Sequence, residues 1–98
     1  MFMTSSKLAD RLYELRTKKR VHQKILAEAI GVRPPMYSRR EKGERKPKTE
    51  QLDVLSDSFG LDRKELRALL LVDRVSDVSA TMSKDVIEEA MTILKEEL

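Results

Sequence analysis

A chain of 98 residues has room for one compact core and not for two. Charged residues make up 38% and aromatics 4%, a profile that favours a helical bundle built on Leu, Ile, Val and Ala. Cysteine is absent, which excludes disulfides and thiolate metal sites and suits a reducing cytosol. Neither a signal-peptide run nor a stretch of membrane-spanning length is visible, so the expectation is a soluble, cytoplasmic, all-α protein with no membrane contact.

The net charge of +3 hides an asymmetry. Residues 1–48 carry fourteen Lys/Arg against five Asp/Glu, whereas residues 49–98 carry six against twelve. A basic half joined to an acidic half suits a nucleic-acid face opposite a solvated or partner-facing end.

In chain order, Ser5 or Ser6 is placed to cap a first helix whose Leu8, Leu12 and Leu15 recur at helical spacing. Its cationic tail, Arg16 to Arg20, suits a helix C-terminus. A second short helix spans 23–31, with Leu26, Ala27 and Ile30 on one side and Gly31 as its left-handed stop. The stretch GVRPPMYSRREKG follows. Proline is tolerated in the first helical turn, where its missing N–H would be unpaired in any case. Pro34 and Pro35 are therefore expected at roughly the cap and first positions of a third helix ended by Gly43. Helix, tight turn, helix is the helix-turn-helix unit. Thr49 opens a fourth helix with Leu52, Leu55 and Phe59 inward and Gly60 as its stop. A fifth is expected from Leu61 to about Val75, and Ser83 caps a last amphipathic helix.

Gln23, Leu26, Ala27, Gly31 and Val32, followed by Ser38, Glu41, Gly43 and Pro47, form a compound pattern that resembles the lambda repressor and Cro family of DNA-binding regulators. The likeness runs from about Leu8 to Leu70. It implies a compact five-helix DNA-binding domain, here followed by a short C-terminal helix, with double-stranded DNA as partner. It also implies a structural pair between Arg16 and Glu41, and a phosphate contact for Gln23 at the start of the second helix.

The recognition helix, about 34–42, departs from the pattern. Related repressors often carry glutamine, serine or threonine where this chain has Arg33, Pro34 and Pro35. Amide readout of adenine is thus unavailable at two usual sites. Arg33 and Arg39 have the reach for guanine O6 and N7, the alternative being that they only hold phosphates. Met36 and the proline rings suit a thymine methyl, and Ser38 completes the DNA-binding set on this helix. Arg40 stands where the family is usually apolar, with its stem expected to snorkel along the core. Tyr37 is expected in the central buried position, its hydroxyl reaching a partner or solvent. Arg20 replaces the glycine that often ends the family's first helix, which costs left-handed strain or forces a different turn. Lys42, Arg45, Lys46 and Lys48 follow the recognition helix and suit flanking phosphates.

Leu66, Leu69 and Leu70 are expected to close the core, while Ala68, Leu71, Val72 and Val75 form a second apolar stripe. A helix apolar on two sides needs two surfaces to pack against. The expected interface of a symmetric homodimer therefore comprises Leu71, Val72, Val75, Ile87, Met91 and Leu94, the alternative being a monomer whose last helix caps the core. Residues 1–75 are read as the DNA-binding domain and 76–98 as a linker and helix for dimerisation or partner contact. One histidine, no cysteine nucleophile, no phosphate-cradling glycine loop and no metal-ligand cluster speak against an enzyme, and no cofactor is called for. His22 reads as a helix-start residue or a phosphate neighbour. The function expected is a dimeric, sequence-specific transcriptional regulator on a palindromic operator. The alternative is an antitoxin or a restriction–modification controller that autoregulates its operon, with the C-terminal helix gripping a toxin or other protein.

Overall fold

The computed structural model describes residues 6–98, so the candidate cap Ser5 lies outside the described residues. They form six helices and no strand: α1 Lys7–Lys18, α2 Gln23–Ala29, α3 Pro34–Glu41, α4 Thr49–Phe59, α5 Arg63–Val78 and α6 Lys84–Glu97. The all-α architecture expected from the sequence is what the chain adopts.

Leu8, Leu12 and Leu15 of α1 all face inward, as their spacing requires. They meet Leu26 and Ala27 of α2, Tyr37 of α3, Leu52, Leu55 and Phe59 of α4, and Leu66 and Leu70 of α5 in one core. Ala27 is fully buried, and no larger side chain would let α2 pack as closely. Ser6 caps α1, its Oγ accepting from the Ala9 amide at 3.0 Å.

Four helices end in the same way. After α1, α2, α3 and α4, one residue takes a left-handed conformation while two amides turn back onto the last carbonyls. The second amide of each pair runs Val21 N to Arg16 O, Val32 N to Ala27 O, Glu44 N to Arg39 O and Leu61 N to Ser56 O, at 2.9–3.1 Å. Gly31, Gly43 and Gly60 take that position in three of them, with φ of +73°, +79° and +68°. In the fourth it is Arg20, at φ +56°, the only non-glycine residue with positive φ among those described. The left-handed region costs an L-residue about 1–2 kcal/mol that glycine does not incur.

Two boundaries differ from the sequence expectation. Arg33 is the cap of α3, with Pro34 and Pro35 at its first and second positions, so the helix starts one residue earlier than expected. The fifth helix starts at Arg63 because Leu61 still closes the turn of α4, and Asp62 caps the new helix by accepting from the Lys64 amide at 2.8 Å. It runs on to Val78, since no glycine or proline interrupts it at Val75. None of the residues of α6 is buried. The outer stripe of α5 is left open as well: Leu71 is 62% and Val72 49% exposed.

Candidate nucleic-acid interface

The start of α3 is shaped by two prolines whose fixed φ is already helical and whose missing N–H groups fall where the helix has none to spare a partner. From there the 3.6-residue period sorts the side chains. Tyr37, Arg40 and Glu41 turn inward, whereas Arg33, Pro34, Pro35, Arg39 and Lys42 point outward. Met36 and Ser38 are half-buried at the margin of that outward face. Arg45, Lys46 and Lys48 lie exposed in the loop that follows.

The helix is held from behind by one ion pair. Arg16 Nε lies 2.8 Å from Glu41 Oε2 and Nη2 lies 2.8 Å from Oε1, a bidentate grip on a nearly enclosed carboxylate. The Glu41 hydrogen bond raises the Arg16 guanidinium above its usual value, outweighing the opposing effect of burial. The remaining Arg16 nitrogen donates to the Val21 carbonyl at 3.1 Å, so a single side chain fixes both α3 and the α1–α2 turn. Gln23 is half-buried and its amide approaches Glu41 Oε1 at 3.4 Å. It stands against the same pair.

Arg40 is only 5% exposed. Its Nη1 donates to the Met36 carbonyl at 2.9 Å and its Nε to Gln51 Oε1 at 3.3 Å. Burial, with Arg45 adding, pulls its guanidinium below the usual value. The head group is therefore folded back onto the protein rather than extended into water. Tyr37 occupies the centre of the core, its hydroxyl enclosed near the Glu41 carboxylate but without a well-formed hydrogen bond among the described residues. Burial, then the nearby Glu41 charge, pushes its ionisation far above the ordinary range. Of the loop cations, Lys46 is drawn onto Asp77, 2.5 Å away near the end of α5. Both side chains of that pair are well exposed, so phosphates can compete for the lysine.

A family model described as helix-turn-helix matches residues 12–66, more than half of the chain. The chain belongs to the XRE-type, lambda repressor-like helix-turn-helix family. This XRE-type protein is accordingly a DNA-binding transcriptional regulator. Comparison with curated proteins and with solved structures finds no match to set beside the family. The matched span takes in α2, α3 and the loop cations and stops short of α6. No described helix is long and apolar enough to cross a membrane, and the described residues hold no His/Cys/Asp/Glu group fit for a metal.

Two anchors of this XRE-type domain escaped the sequence reading. Asp73 of α5 is buried and accepts from Ser6 Oγ at 2.7 Å, from the Lys7 amide at 2.8 Å and from the Leu8 amide at 3.2 Å. It caps α1 from a distance of 67 residues in sequence. The only signal was an acidic residue at an inward position of α5. Gln51 Oε1 accepts from the Lys48 amide at 3.0 Å as well as from Arg40, tying the loop's last cation to α4.

Proposed function

We propose that the chain works in the cytoplasm as a sequence-specific regulator, binding a palindromic operator as a homodimer with residues 34–42 in the major groove. The observation that carries this reading is the outward face of α3, where Arg33, Pro34, Pro35 and Arg39 stand free of the core while Arg16 and Glu41 hold the helix from behind. Arg39 reads a guanine; Arg33 reads a second base or holds a phosphate. Gln23, Lys42, Arg45, Lys46 and Lys48 contact the backbone, Met36 and the proline rings meet thymine methyls, and Ser38 supports the edge of the contact.

Dimerisation is proposed through Leu71, Val72 and Val75 of α5 with Ile87, Met91 and Leu94 of α6. What supports it is exposure: Leu71, Val72, Met91 and Leu94 face water in the single chain, with Val75 and Ile87 half-buried beside them. The Lys46–Asp77 pair brings the end of α5 beside the loop after α3. The exposed, acid-flanked face of α6 equally suits a protein partner, which is the antitoxin or controller reading.

The test is selection from a randomised duplex library at about 0.15 M salt. A palindrome with half-sites roughly ten base pairs apart supports the dimeric regulator. A single half-site would remove the dimer from the reading, and retention without any motif would reduce the arginines to phosphate contacts.

A further inference from the structure

Arg20 holds a left-handed backbone that glycine provides without strain after α2, α3 and α4. All three glycines of the chain serve that purpose, so the exception stands out. Its side chain is exposed and forms no ion pair or hydrogen bond among the described residues that would account for keeping it there. Strain retained without a structural gain points to a function of the side chain.

The surroundings say which. Lys18, Arg20 and Lys24 are all exposed around the α1–α2 turn, whereas Lys19 is turned away to donate to the Phe59 carbonyl at 2.7 Å. The turn is locked to the recognition helix, because Arg16 binds the Val21 carbonyl and Glu41 together. A cation here keeps a fixed offset from α3, apart from the loop cations that follow that helix. Such a placement suits a phosphate strand, whose oxygens a guanidinium pairs with well.

We propose that Arg20 is a DNA-phosphate contact, kept in a strained turn for its charge. The inference rests on the DNA-binding reading above and deepens it. Affinity of the full chain for a fluorescent mixed-sequence duplex, measured by anisotropy over a salt series, tests it alongside thermal unfolding. In Arg20→Gly the expected thermal midpoint equals or exceeds that of the unaltered protein. Its duplex affinity falls roughly five- to tenfold at about 0.1 M salt, with the log–log salt slope reduced by about 1 per chain. Arg20→Lys keeps the slope. Unchanged affinity and slope in Arg20→Gly overturn the contact, and so does a lysine variant whose slope falls with the glycine variant's. A lowered thermal midpoint in Arg20→Gly makes the side chain a structural anchor and overturns it too. If the unaltered protein binds no duplex, the DNA-binding reading itself fails, an outcome distinct from failure of this one contact.

Discussion

Arg16 and Glu41, 25 residues apart, meet through two parallel hydrogen bonds, and the same arginine also holds the Val21 carbonyl. The carboxylate side chain is 3% exposed. Removing one partner strands the other, and a stranded buried charge costs more than the pair itself contributes. Arg16→Ala is therefore expected to destabilise the fold by about 3 kcal/mol in urea unfolding. Replacing both residues, as in Arg16→Met with Glu41→Leu, should recover much of that loss. Duplex affinity should not recover with it, because α3 is then no longer fixed against the turn. Full recovery of both properties would leave the pair without a positioning role.

Asp73 makes a different prediction from a similar geometry. One carboxylate takes three donors at the start of α1, two of them backbone amides with no intrahelical partner. Asp73→Ala should cost about 2 kcal/mol, the penalty for leaving buried donors unmet. Hydrogen exchange should quicken first at the Lys7 and Leu8 amides. Uniform quickening along the chain would show that the contact is not a local anchor.

The contrast between these two anchors explains what the sequence can and cannot reveal. Helices α1 to α4 were legible because their apolar spacing, proline start and glycine stops are local signals. The Arg16–Glu41 link was reached through resemblance alone. Asp73 carries no local signature, since a capping residue normally precedes the helix it caps and this one comes from another helix. The Tyr37 hydroxyl was expected to find a partner because buried hydroxyls usually do. Glu41 lies nearby, and whether the two meet in good hydrogen-bond geometry depends on how the helices converge, which no local pattern encodes. At Arg20 the sequence left open strain or a different turn; the positive φ decides for strain, and the repetition of the same turn at three glycines gives that strain a meaning.

On the exposed face of α3, readout and anchoring should separate. Arg39→Ala is expected to erase discrimination at one base pair, on the order of 1–3 kcal/mol, with little change on random duplex. Lys46→Ala should weaken all sequences alike. The Lys46–Asp77 pair adds a third variant: Asp77→Asn frees the lysine and removes a nearby negative charge, so affinity for every duplex should rise a few-fold. Competition binding against operator variants reads all three. Equal losses on specific and random DNA in Arg39→Ala would reassign that residue to a phosphate.

The apolar face of α5 and α6 gives the last test, one in which fold and function should part. Leu71 is 62% exposed and Met91 40%, so a charge at either site disturbs little within the single chain. Leu71→Glu and Met91→Glu should each shift the stability of the isolated chain by no more than about 0.5 kcal/mol, as surface substitutions do. Across a two-fold interface each substitution appears twice, and both new carboxylates must be desolvated against apolar partners. Light scattering should then give the mass of one chain for the variants and of two for the unaltered protein. Binding to a palindromic operator should weaken much more than binding to a single half-site, because only the palindrome uses the second copy. If the variants remain dimeric, the two-fold contact lies on another surface. If the unaltered protein is a single chain at high micromolar concentration, the exposed face of α6 is left for a different protein.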